Sequence, residues 1–204
     1  MNTARRGTLS LAAIALLLFP TTPNAGTIAP ITGYGELQFG VTRESVETAY
    51  PNCKWECADQ PGDAQMCTAQ EPGITDMDQV GLFYIGGTLG KVIMTTRTVN
   101  SNLELLSAWD KYKAIFIAKY GAPSSISEIM LSPYDNTRAE FLQYGSSAIN
   151  AGRCLYAATW SGGAQANAPG VSLMVKPGWV LIAYESTMFQ DYADKLSAKD
   201  AEKF

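Results

Sequence analysis

Hydrophobic positions along the chain change period several times, and each change marks an element. Between Ser101 and Pro123 the residues Leu105, Ala108, Trp109, Tyr112, Ile115, Phe116 and Tyr120 recur at three- and four-residue steps, the signature of one helical stripe. Ser101 and Glu104 have the spacing of a capping box, Gly121 can adopt the conformation that closes a helix, and Pro123 prevents it from restarting. This helix is the predicted hub of the core. Upstream, Leu37 and Phe39 alternate with Glu36 and Gln38 as a short half-buried strand. Thr42 then caps a short helix with Val41 and Val46 as a hydrophobic staple, Val46, Ala49 and Tyr50 inward, and Pro51 as its stop. The Pro- and Thr-containing segment that follows Ala25, to about Thr32, reads as an extended, partly mobile lead-in.

Strand signals dominate elsewhere. Cys53, Trp55 and Cys57 fall on one face of a strand, and Met66 to Ala69 returns after the turn sequence Pro61-Gly62-Asp63. The runs Val80 to Ile85 and Leu89 to Thr98, joined by Gly86, Gly87 and Thr88, form a hairpin. After the long helix, strands are expected at Ile126–Leu131, Ala139–Tyr144, Leu155–Trp160, and Val171–Val175 with Val180–Glu185 around Pro177-Gly178. Phe189 to Leu196 suits a last helical turn or two, and Ser197 to Phe204 a frayed end. Strand runs between helices, without βαβ alternation, indicate an α+β fold: an antiparallel sheet with a short and a long helix packed on one face. Residues 26–204 then make a single domain. Its segments 34–98 and 101–186 are candidate half-repeats, each a helix leading into strands, without a shared sequence period.

Composition adds a compartment. Arg5 and Arg6, the apolar run Leu9 to Phe19 and the polar stretch to Ala25 follow the order of a secretory signal peptide spanning residues 1–25. The apolar run falls short of the roughly 20 residues a membrane-spanning helix needs, so no stable membrane insertion is expected after cleavage. The expected location is periplasmic or secreted. Four cysteines in an exported chain favour disulfides over metal ligation. Three pairings exist; a turn between Cys57 and Cys67 brings those two opposite each other and leaves Cys53 with Cys154, a long link predicted to stabilise by about 4 to 5 kcal/mol. A zinc site is the competing reading of Cys53 and Cys57. Removing residues 1–25 takes away two basic residues and no acids, so the remaining charge is 13 − 19 = −6. That disfavours nucleic acid as a partner and permits a cationic protein.

The stretch Phe39-Gly40-Val41-Thr42-Arg43-Glu44-Ser45-Val46, ending near Pro51, resembles the opening of small exported α+β modules of the BamE/SmpA and β-lactamase-inhibitor-protein type. Lys119-Tyr120-Gly121-Ala122-Pro123 followed by strands is similar to periplasmic proteins of this kind. The resemblance implies an α+β fold, an envelope location and a binding or assembly role. The lipobox cysteine of the lipoprotein members is absent here.

Histidine is absent, which removes Ser-His and Cys-His nucleophiles and histidine-ligated metals. Gly145-Ser146-Ser147 lacks the second glycine of a nucleophile elbow, and Gly86 to Lys91 has the wrong spacing for a phosphate loop. Asp76 and Asp78 fit only the first half of a calcium loop. No cofactor is expected. Paired carboxylates drawn from Glu36, Glu44, Glu47, Asp110, Glu128, Glu140 and Glu185 would permit a histidine-independent envelope hydrolase. Among four tryptophans, Trp160 beside Ser161-Gly162-Gly163 and Trp179 in a hairpin turn are the candidates for ligand contact. The leading expectation is a disulfide-stabilised, non-enzymatic binding or inhibitor-like protein that meets an envelope protein partner, with the hydrolase as the alternative.

Overall fold

A computed structural model of the chain describes residues 28–163 and 167–201; the segment read as an export signal lies outside them. The elements run β1 (Gly33–Tyr34), β2 (Leu37–Gln38), α1 (Arg43–Ala49), β3 (Glu56–Gln60), β4 (Ala64–Gln70), β5 (Met77–Ile85) and β6 (Thr88–Thr96). There follow α2 (Asn102–Tyr120), β7 (Ser125–Met130), α3 (Arg138–Asn150), β8 (Cys154–Ser161), β9 (Gly170–Lys176), β10 (Trp179–Glu185) and α4 (Thr187–Ala201). The fold is α+β. Eight strands form one antiparallel sheet in the order β3-β4-β5-β6-β10-β9-β8-β7. The two halves of the chain are therefore meanders that meet last strand to last strand, β6 against β10, with Met94 opposite Ile182 and Val92 opposite Tyr184.

Local chemistry explains most boundaries. Ser101 accepts the Glu104 amide at 3.2 Å and starts α2; the Gly121 amide donates to the Ile117 carbonyl at 2.9 Å, with Gly121 at φ +79°, where a side chain would be strained. Thr42 caps α1. Gly86 and Gly87 both have positive φ, the requirement of a two-residue hairpin whose twist matches its strands. The side chains of α2 make the core: Leu105, Leu106, Trp109, Tyr112, Phe116 and Tyr120 are buried. Trp109 meets Tyr156 edge-on at 5.7 Å between centroids, and Phe116 meets Trp160 at 5.3 Å and Tyr184 at 6.2 Å.

Several expectations are corrected. Ala139–Tyr144 belongs to helix α3, whose start Thr137 accepts the Glu140 amide at 3.1 Å. Phe141, Gly145 and Ala148 are its buried face, and a β-carbon at Gly145 would lie 2.9 Å from the Phe141 ring. The sheet carries a further helix on its other face: α2 and α3 pack on the face carrying Tyr156, Trp160 and Tyr184, while α4 packs on the opposite face through Phe189 and Tyr192 against Phe83. Ser186 caps α4 by accepting the Phe189 amide at 3.1 Å, which gives a helix of 15 residues rather than a turn or two. Ile115 is exposed because the buried stripe runs through Tyr112 and Phe116 instead, and Ala49 is also exposed. The lead-in is held by the Ala29 amide on the Lys119 carbonyl at 3.1 Å and by buried Ile31.

Cys57 and Cys67 are bonded directly across β3 and β4, but Cys53 and Cys154 remain free. Cys53 precedes β3 at one edge and Cys154 opens β8, six strand steps away. At about 4.8 Å per step that is roughly 29 Å along the sheet, against the about 4.4–6.8 Å between Cα atoms that a cystine spans. Alkylation of denatured, unreduced protein is expected to modify two cysteines, and all four after reduction; modification of none would restore the second cystine. Reduction of the 57–67 link is expected to cost about 3 kcal/mol, read as a shift in the urea midpoint. Trp109→Ala, at a fully buried position, is expected to cost about 3–5 kcal/mol in the same assay, and a loss below about 1 kcal/mol would place that stripe on a surface.

Candidate binding face

Strand alternation divides the sheet into a packed face and an outer face. In β10, Val180, Ile182 and Tyr184 are buried in the core, so Trp179, Leu181, Ala183 and Glu185 point outward. The registers align Leu181 with Met174 of β9 and Met174 with Ala157 of β8; Trp179 stands opposite Lys176, and Leu155 opposite Ile129. An apolar strip thus crosses four strands of the outer face. Leu155 and Ile129 are 47% and 42% exposed at its end, and Trp179, Leu181 and Met174 are half-buried along it. Lys176, Thr95, Ser172, Thr159 and Ser127 form its polar margin.

Helix α4 covers the other part of this face and runs away from the strip. Phe189 sits on Phe83 and over the Lys91 ammonium, 4.2 Å from the ring centroid, and the same ammonium lies 2.6 Å from the Glu185 carboxylate. Farther along α4, the Tyr192 hydroxyl donates to the Pro61 carbonyl in the β3–β4 turn. Between the start of α4 and the strip lies an open hollow of about 190 Å³ lined by Thr159, Ser161, Ser172, Glu185 and Gln190.

The two tryptophans singled out by sequence separate. Trp160 is 2% exposed and its indole N–H donates to the Gly121 carbonyl at 2.9 Å, so it is a core side chain tying β8 to the end of α2. Trp179 follows the Pro177-Gly178 turn and lies on the outer strip. Loop neighbours made both look accessible, whereas strand parity decides between them. Leu155, Met174 and Leu181 were absent from the sequence-based candidates, although their alternation with core residues is visible once the strands are known.

Of the candidate carboxylates, Asp110 and Glu128 come together. Lys113 pairs with both, with 3.9 Å to Asp110; Arg138 pairs with Asp110, and the Trp109 indole donates to Glu128 at 2.9 Å. Burial alone would raise the Glu128 pKa, but hydrogen bonds from Lys113 and Trp109 and the charge of Lys113 outweigh it, so the carboxyl titrates below its usual range. A carboxylate held ionised in this way is unsuited to donate a proton, and the group reads as a bolt joining α2, β7 and α3. Asp76 is paired with Lys111 at 2.5 Å, which occupies the first ligand of the calcium reading, and no metal-ligating group of three occurs among the described residues. Lys91 is engaged by Glu185, and Gly86-Gly87 is a hairpin turn, so the phosphate-loop reading also falls. Burial raises the pKa of both free thiols, that of Cys154 to about 11, which leaves neither as a thiolate near neutral pH. Among the described residues no helix is long and apolar enough to cross a membrane.

Comparison with protein-family models, with curated proteins and with solved structures finds no match.

Because the folded pKa of Glu128 is depressed, its contribution to stability is complete above the unfolded glutamate value near 4.3 and is lost as pH falls through the lower folded value. Melting curves of the wild type and Glu128→Gln are expected to differ most at neutral pH and to converge on acidification below about pH 4. A constant difference across that range would contradict the bolt.

Proposed function

We propose that this protein is an exported, disulfide-tied binding protein of the bacterial envelope that acts on a protein partner without catalysis, in the manner of an inhibitor-like module. The carrying observation is the apolar strip of the outer face, exposed at Leu155 and Ile129 and part-exposed at Trp179, Leu181 and Met174, with its polar margin. Contiguous exposed apolar surface rimmed by polar groups is a feature of interaction sites. Tryptophan contributes strongly at such centres because it carries a large rigid surface at little conformational cost. The cross-strand cystine supports an oxidising compartment, in line with the leader-like residues 1–25. The net charge of −6 without those residues suits a cationic partner and speeds its encounter.

Pull-down from envelope extract with the tagged protein tests this reading. Wild type is expected to recover a discrete partner, and Trp179→Ala is expected to weaken recovery by at least about 2 kcal/mol, roughly 30-fold in Kd. Ile115→Ala, on the exposed side of α2, is expected to leave recovery unchanged. Failure to recover a partner, together with turnover of peptidoglycan fragments by the purified protein, would reject the proposal.

A further inference from the structure

The two edges of the sheet are guarded unequally. Strand β3 presents Glu56, Ala58, Asp59 and Gln60, a short polar edge that resists pairing with another chain. Strand β7, Ser-Ile-Ser-Glu-Ile-Met, has no lysine, no proline and no bulge, and its Ile126 and Ile129 are 49% and 42% exposed on opposite faces. The parity of its ladder is set by the Leu131 amide, which donates to the Arg153 carbonyl at 2.7 Å in the register of β7 on β8. Odd-numbered residues therefore bond to β8, and even-numbered ones point their N–H and C=O groups away from the sheet. The Met130 amide confirms this direction, because it is capped by the Asn136 side chain at 2.9 Å. Among the described residues nothing pairs with the outward backbone groups of Ile126 and Glu128.

We propose that β7 pairs with β7 of a second copy, antiparallel about a two-fold axis through Ser127. In that register Ile126 of each copy faces Glu128 of the other, and four hydrogen bonds consume every outward donor and acceptor of those two residues. The neighbouring register, with Glu128 on the axis, sets two carboxylates opposite each other and is disfavoured. A two-fold axis normal to the sheet leaves the outer faces of both copies on the same side, so their strips lie end to end across the joint. Self-pairing is argued from the edge alone and does not depend on the partner reading.

Sedimentation equilibrium of the purified protein, at concentrations up to about 1 mM, tests self-pairing. A monomer–dimer equilibrium is expected. Ile126→Pro removes one outward N–H per copy and leaves the ladder with β8 intact, and the two lost hydrogen bonds are expected to weaken dimerisation about 30-fold. Ile126→Lys, the common guard of natural edges, is expected to do the same should the proline variant fail to fold. With Cys53 and Cys154 replaced by serine, Ser127→Cys is expected to form an interchain disulfide on oxidation. Ser125→Cys is not, since its two copies stand four residues out of register, about 13 Å apart. A monomer at every concentration, a dimer indifferent to both Ile126 variants, or equal cross-linking at positions 125 and 127 would overturn the proposal. Protection of the Ile126 and Glu128 amides only on adding a different protein would assign the edge to a foreign strand and overturn it as well.

Discussion

The pairing of β6 with β10 is the contact on which the architecture depends. Each half of the chain builds a four-stranded meander, the second with α3 between its first two strands, and the antiparallel register of Lys91–Thr95 with Leu181–Glu185 fuses them into one sheet. The seam is buried on the core side by Val92, Met94, Ile182 and Tyr184, all within 1% of full burial. Its position also fixes what faces outward. Once Ile182 and Tyr184 point into the core, Leu181 and Trp179 have no choice but the opposite face.

Helix placement then decides which part of that outer face is used internally. Helices α2 and α3 consume the packed side of β8, β9 and β10, where Trp109, Phe116 and Phe141 interlock with Tyr156, Trp160 and Tyr184. Among the described residues α4 is the one helix on the outer face; it lies over β5 and β6, and no described helix covers the second half-sheet there. The ionic group of Lys113, Asp110, Glu128 and Arg138 belongs to the packed side, where it clamps β7 under the helices. The paired charges of this group thus hold elements together, while apolar side chains stay part-exposed on the outer face.

Legibility in the sequence followed the range of the interactions involved. The long helix, the short helix, the Gly86-Gly87 and Pro177-Gly178 hairpins and the Cys57–Cys67 cystine were readable because caps, turns and a ten-residue separation are local. Helix α3 was misread as a strand because Gly145, Ser146 and Ser147 dilute its apolar period, although Thr137 and Glu140 carry the same capping spacing that marked α2. The partnering of Cys53 with Cys154 failed for the opposite reason: elimination supplied it, and strand order, a long-range property, forbids it. Trp160 and Trp179 were indistinguishable by loop context, since burial of the first depends on α2 ending at Gly121 beside it. The alternation in β8, β9 and β10 contained the outer apolar strip all along, but a period of two does not say which face a helix will cover.

The most direct test is hydroxyl-radical footprinting of the native protein, alone and in envelope extract, with modification read residue by residue. Trp179, Met174, Leu181 and Leu155 are expected to be modified in the isolated protein and protected in the extract, while Trp109 and Trp160 stay unmodified in both. Protection confined to the exposed side of α2, or an outer strip that reacts equally in both samples, would contradict a binding role for this face.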